Sequence, residues 1–186
     1  MRKDNSNMLY VLIAILVFFD QLIKFNITQN LGKYEIVPVI QGFFSITHFS
    51  NTGAAFSFLA NKEWGIILLT GISVVVSVIL LYALYRLRNM HVFWIRFAIT
   101  LLVSGTIGNM IDRIRYQEVV DYMMFTFGSY TFPIFNLADM CIVCGSILLA
   151  VLMIFDKNLF RSEENKKEKL PADKDIIEGT SPTNDK

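Results

Sequence analysis

Apolar residues dominate four long stretches of the chain, Met8 to Ile27, Trp64 to Tyr85, Val92 to Ile111 and Leu137 to Phe155, and polar residues gather between and after them. A helix needs about 20 apolar residues to cross a bilayer, so each stretch is predicted to be a membrane span. Core helices of a soluble protein are the alternative, but four of them would leave almost no amphipathic helix to cover them. Small residues four apart, Ser73 and Ser77 in the second stretch and Ser104 and Gly108 in the third, predict close packing between spans.

The intervening segments carry patterns of their own. Between the first two spans, Tyr34 to Val39 and Phe43 to Phe49 are rich in aromatic and β-branched residues and are punctuated by Gly32, Pro38 and Gly42. They read as short strands on the outer membrane surface. Asn51-Thr52-Gly53-Ala54-Ala55-Phe56 then reads as a tight turn of small residues. The connection between the second and third spans is short, as for antiparallel neighbours. The last outer segment, Asp112 to Asn136, holds an apolar stretch, Val119 to Phe127, interrupted by Asp121, with Gly128 and Pro133 marking a turn and re-entry. The expected fold is an all-α membrane protein of four transmembrane helices, with a small β-rich element on the outer surface between helices 1 and 2. From Asp156 the chain is charged with both signs and poor in aromatics, so a membrane domain over 1–161 and a disordered cytoplasmic tail over 162–186 are expected.

Composition sharpens this only slightly: 54% of the 186 residues are hydrophobic and the mean hydropathy is +0.48. The net charge of +1, with no basic patch interleaved with aromatics, points to no nucleic-acid partner. The placement of charge says more. Arg2 and Lys3 precede the first span, Arg86, Arg88 and Arg96 surround the second turn, and Lys157, Arg161, Lys166, Lys167 and Lys169 follow the fourth span. The outer segments hold only Lys33 and Lys62 in one and Arg113 and Arg115 in the other. Both termini are therefore expected in the cytoplasm. The first span is expected to be retained, because it carries Asp20 and Lys24 and no small-x-small cleavage site follows it.

Charged side chains within spans are costly, by about 2.5–3.5 kcal/mol on insertion scales, and are functional candidates for that reason. Glu35, Glu63 and Glu118 fall in outer segments and are most simply solvated. Asp20 lies roughly 12 residues into the first span, about 18 Å along the helix, in its outer half. Lys24 follows on the same helix face, either as an ion-pair partner snorkelling outward or beside a site in which Asp20 takes direct part. The third span delivers Asn109, Asp112 and Arg113 to its outer end, and the fourth begins with Asn136 and Asp139. With Asn51 and Asp121 from the outer segments, these residues can converge on one layer near the outer surface.

The chemistry open to such a layer is narrow. The histidines are His48 and His91, the latter on the cytoplasmic side, so a Ser–His or Cys–His pair is not indicated. Cys141 and Cys144 form a C-x-x-C inside a span, with no second pair, and read as small apolar residues rather than a metal or redox site. Carboxylates remain. Two aspartates sharing a proton can hydrolyse a peptide bond, the ionised one drawing a proton from water while the protonated one polarises the carbonyl. Asp112, Asp121 and Asp139 are all candidates for that pair.

Taken together, Asp20-Gln21-x-x-Lys24, Asn51-Thr52-Gly53-Ala54-Ala55-Phe56, Gly108-Asn109-x-x-Asp112-Arg113, Val119-Val120-Asp121-Tyr122 and Phe135-Asn136-Leu137-Ala138-Asp139 resemble the lipoprotein signal peptidases, or signal peptidase II. The resemblance spans roughly residues 8 to 155. It implies that Asp121 and Asp139 are the catalytic aspartates and that Asp112 supports the site beside Arg113. Asp20, Lys24, Asn51, Gly53, Asn109, Arg113, Asn136 and Ala138 would shape the site or contact substrate, and Tyr122 stands where Phe is often seen. It further implies an enzyme of the bacterial cytoplasmic membrane, needing no cofactor or metal, that works near the outer face among membrane lipids. Its substrates would be prolipoproteins, cut just before a diacylglyceryl-modified cysteine. A proton-coupled carrier using Asp20 and Asp139 is the competing function, though neither the internal repeat nor the interrupted span common in carriers is found. A structural membrane subunit is a third reading.

Overall fold

The computed structural model describes residues 6–53, 63–90 and 92–155. Ala54, Ala55 and Phe56 of the small-residue motif, His91 and the charged tail lie outside them. The chain divides into Met1–Leu152, which holds everything discussed below, and Met153–Lys186, of which only Met153, Ile154 and Phe155 are described.

Among the described residues four helices are long and apolar enough to cross a membrane: α1 (Ser6–Asn30), α2 (Glu63–Arg86), α3 (Phe93–Tyr116) and α4 (Leu137–Phe155). Two of them outrun their apolar stretches. α1 continues to Asn30 because its polar last turns bond back to their own helix, Asn26 Nδ2 donating to Leu22 O at 2.7 Å and Asn30 Nδ2 to Asn26 O at 2.8 Å. α3 runs on to Tyr116, taking Asp112 and Arg113 out of the loop where the hydropathy pattern put them. It stops at Gln117, which adopts a left-handed φ of 58° and donates its N–H to Arg113 O.

α3 is the central helix. Its apolar window is 56% buried within the protein, against 22%, 6% and 17% for α1, α2 and α4. α1 and α2 pack directly on it, and glycines bring α4 against it. A Cβ on Gly105 would overlap the Ala138 carbonyl oxygen, and one on Gly145 would lie 2.8 Å from Ala98 O. Ser104 is buried as expected, but the tightest approach is at Gly105, its neighbour. Ser73 spends its hydroxyl on Leu69 O within α2, while Ser77 is buried.

The β-rich element is larger than the sequence predicts. Strands β1 (Ile36–Ile40) and β2 (Phe44–Asn51) come from the segment between α1 and α2, as expected. The apolar stretch Val119–Phe127, however, is strand β3, and it turns at Gly128 into β4 (Tyr130–Thr131). The four pair antiparallel in the order β1-β2-β3-β4, so the sheet is built from both segments rather than confined to the one between the first two helices. Pairing β2 with β3 also fixes both segments at the same end of the bundle. Val120 and Tyr122 of β3 pack on Ile27 near the end of α1. Asp121, between them in sequence, points to the alternate face.

Candidate active site

The site is built around the N-terminus of α4. The first backbone N–H groups of a helix have no partner within it, and here each is met by a side chain. Tyr122 Oη accepts the Leu137 N–H at 3.2 Å, and Asp20 Oδ1 accepts that of Ala138 at 3.0 Å. Asn136 Oδ1 accepts the N–H of Asp139 at 2.9 Å, and Asp139 Oδ2 accepts that of Asn136 at 3.2 Å. The last two form a reciprocal capping box. Ala138 must be small in this setting, because its Cβ faces Gly108 across the α3–α4 contact, where a Cβ would come within 3.1 Å.

Asn136 also reaches the second carboxylate. Its oxygen is committed to the Asp139 N–H, so its nitrogen faces the other way and donates to Asp121 Oδ1 at 2.6 Å. Asp121 Oδ2 accepts from Asn51 Nδ2 at 3.0 Å. Asn51 pairs with Val119 in the β2–β3 register, the diagonal neighbour of Asp121 on one sheet face. Its amide is turned correctly because its own oxygen accepts the Gly53 N–H at 2.9 Å. On the other side Asn109 Nδ2 donates to Asp139 Oδ1 at 2.7 Å. All four oxygens of Asp121 and Asp139 therefore hold N–H donors, and one residue, Asn136, touches both carboxylates. Asp121 is almost completely buried, at 1% exposure. Burial first, and the charge of Asp139 second, push its carboxyl up to about 7, against the opposing pull of the Asn51 and Asn136 amides. Burial likewise raises the Tyr122 phenol, so it stays neutral.

Beside the pair lies a cluster of buried charges. Lys24 Nζ sits 2.8 Å from Asp20 Oδ2 and 2.8 Å from Asp112 Oδ2, and donates to Asn109 Oδ1 at 3.0 Å. The ammonium does not snorkel out to the surface; Lys24 is only 3% exposed. Asp112 belongs to the same cluster. It pairs with Lys24, accepts from Gln21 Nε2 at 2.9 Å and from the Val120 N–H at 3.3 Å, and so ties α1 and β3 to α3. Removing the lysine would leave both carboxylates without their counter-charge, a change that costs about 3–5 kcal/mol. Arg113 reaches toward the sheet instead, its two terminal nitrogens 3.4 Å from Asn109 O and Gly53 O, and its Nε–H is buried without an acceptor among the described residues.

The structure thus brings Asp20, Lys24, Asn51, Gly53, Asn109, Asp112, Arg113, Asp121, Asn136, Ala138 and Asp139 into one connected group. Glu118 is not free in solvent; it pairs with Lys33 at 2.7 Å and accepts from Ser50. His48 is spent on Leu31 O at 3.0 Å, and the cysteines are free, Cys141 buried and Cys144 exposed. Sequence reasoning assigned no role to Gln21, Gly105 or the Tyr122 hydroxyl. Gln21 lies within the Asp20-Gln21-x-x-Lys24 motif and Gly105 three residues from Gly108; motif membership and spacing are the signals that could have singled them out.

Comparison with known proteins shows the family. Residues 12–155 match the family model described as signal peptidase (SPase) II. Lipoprotein signal peptidase of Bacillus pumilus is 39% identical over 147 residues, covering 79% of this chain and 92% of the relative. That of Xanthomonas oryzae pv. oryzae is 39% identical over 160 residues, covering 84% and 95%. Two solved structures described as bacterial membrane enzymes superpose with TM-scores of 0.69 and 0.65, at 29% and 31% identity, covering 85% and 81% of this chain and 93% and 94% of theirs. A membrane-embedded bundle with a protease family's sequence over most of its length admits one assignment: the chain is an integral membrane protein of the lipoprotein signal peptidase, or signal peptidase II, family.

Proposed function

We propose that this signal peptidase is an aspartic endopeptidase whose catalytic pair is Asp121 and Asp139, and that it cuts prolipoproteins immediately before a diacylglyceryl-modified cysteine. The observation that carries this reading is the bridge of Asn136 between two carboxylates, with Asp121 raised to about 7. Near neutral pH Asp121 holds the shared proton and polarises the scissile carbonyl, while the carboxylate of Asp139 takes a proton from the attacking water. The four fixed N–H donors orient both groups. The Nε–H of Arg113, without an acceptor among the described residues, donates to a substrate oxygen. With the basic residues at the span ends, the pair sits near the outer face of the bacterial cytoplasmic membrane and both termini are cytoplasmic. The lipid on the substrate cysteine anchors the scissile bond at that depth.

The test is cleavage by purified protein of a matched pair of substrates, one lipidated on cysteine and one not. The lipidated form is expected to be cut and the other spared, with the rate unchanged by EDTA. Equal cutting of both would remove the lipid from the specificity, and strong inhibition by EDTA would remove the two-carboxylate mechanism.

The dependence on pH follows with a definite sign. Catalysis needs one proton on the pair, and burial holds it on Asp121 up to about pH 7. As pH rises through that value the proton is lost and kcat/KM should fall, with the apparent pKa belonging to the pair as a unit. A kcat/KM profile that is flat or rising between pH 6 and 9, on the order of three units around the value in question, would contradict the assignment of the proton to Asp121.

A further inference from the structure

We propose that Lys24 is a positioning residue for the catalytic pair, its ammonium fixing the rotation of the Asn109 amide and, through it, the Asp139 carboxylate. The inference rests on Asp121 and Asp139 being that pair. It follows from counting donors and acceptors. A lysine ammonium has three N–H donors and no acceptor, and here all three are filled, by Asp20 Oδ2, Asp112 Oδ2 and Asn109 Oδ1. Only an oxygen can face the ammonium, so the Asn109 nitrogen must face the opposite way, where it donates to Asp139 Oδ1 at 2.7 Å. Rotating that amide by half a turn would set NH₂ against NH₃⁺ on one side and oxygen against carboxylate on the other, repulsive at both ends.

Among the described residues no other group orients Asn109 as strongly. Asn136 Nδ2 points at the same oxygen from 3.2 Å, but that nitrogen makes its short bond, 2.6 Å, to Asp121. The bond from Lys24 is charge-assisted and shielded from water. Asn136, by contrast, is oriented locally by the Asp139 backbone N–H. Of the two amides that touch Asp139 or its partner from α3 and α4, only Asn109 depends on a charge brought from another helix. Asp20 and Asp112 are what keep the ammonium in place.

A purely structural charge cluster would behave differently from a positioning residue, and a double-mutant cycle on kcat separates the two. Lys24→Met and Asn109→Ala are each expected to lower kcat for lipidated prolipoprotein roughly 10–100-fold, the scale set by misplacing a reacting group, with a much smaller change in KM. The double variant should be no worse than Asn109→Ala alone, because Lys24 acts through that amide. Lys24→Arg, which restores a cationic donor, should recover part of the rate. A near-normal kcat in Lys24→Met, or two losses that multiply in the double variant, would overturn the role. Should Lys24→Met fail to accumulate, the same comparison is made between Lys24→Met/Asp112→Asn, which keeps the wild-type net charge of the cluster, and Asp112→Asn. Asp121→Asn and Asp139→Asn are assayed alongside. Full turnover in both would overturn the catalytic pair itself; inactive aspartate variants beside a normal Lys24→Met would overturn only the positioning role.

Discussion

Asp121→Asn and Asp139→Asn are each expected to lower cleavage of a lipidated prolipoprotein by roughly a thousandfold or more, the upper part of the range for losing a general acid or base. Both substitutions keep shape while removing the ionisation the proposed pair would share, and each sets one NH₂ where a carboxylate oxygen now accepts an N–H. The double variant should be little worse than either single one, since groups that act as a unit are not additive. A modest loss of stability is expected at both positions. Asp139 closes the capping box through Oδ2, and an asparagine oxygen can still accept that N–H, but its NH₂ then faces the Asn109 amide nitrogen that Oδ1 accepts from. Asp121 is held between two amide donors, and Asn there must turn its own NH₂ toward one of them, a modest local cost. Thermal unfolding of each purified variant, run beside the cleavage assay, distinguishes a dead folded enzyme from a lost one. Substantial turnover in a folded Asp121→Asn protein would show that the proton-sharing partner lies elsewhere, with Asp112 the next candidate.

A large loss is also expected where no chemistry is touched. Gly105→Ala would drive a Cβ into the Ala138 carbonyl oxygen, and set it 2.7 Å from Ile142 Cγ1 and 3.1 Å from Ile142 N. Two of those three obstacles are backbone of α4, so the first turns of α4 must move, and Asp139 moves with them. A displacement on the order of 1 Å at a reacting group costs about a hundredfold in rate. Gly71→Ala is the control: nothing lies within 4 Å of a Cβ there, and cleavage should stay at the wild-type level. Activity and membrane abundance measured together decide it. A fully active Gly105→Ala enzyme would mean that α4 tolerates a shift the geometry forbids.

The spans were legible because length and apolarity suffice to define them, but their outer ends were not. Asp112 and Arg113 look like loop residues by hydropathy. They remain helical because buried partners, Lys24 and Gln21 for Asp112, replace the water such side chains otherwise require. Strand β3 was hidden for a related reason: Val119 to Phe127 is nearly continuous in apolar residues, a pattern that does not separate strand from buried helix. Its pairing with β2 joins segments far apart in sequence, which no local pattern records. The sharing of one depth by the polar residues could be read from span direction alone. Which of them touch could not, because Asn109 and Asn136 matter through the rotation of an amide. Asp20 four residues before Lys24 signalled an ion pair correctly, while the second partner, Asp112, belongs to a different helix.

The one-turn spacing of Asp20 and Lys24 bears on how the chain enters the membrane at all. When the first hydrophobic segment leaves the insertion machinery, neither Asp112 nor Asn109 has been delivered to the bilayer. An aspartate and a lysine stranded separately in lipid would each resist partitioning, but one turn apart on a single helix they can pair with one another without any neighbour, as they do at 2.8 Å in the folded protein. Insertion can therefore precede assembly. The Asp20 oxygen that later receives the Ala138 N–H waits until the fourth segment has been made. The connected group around the start of α4 can close only at that point, with the last span in place.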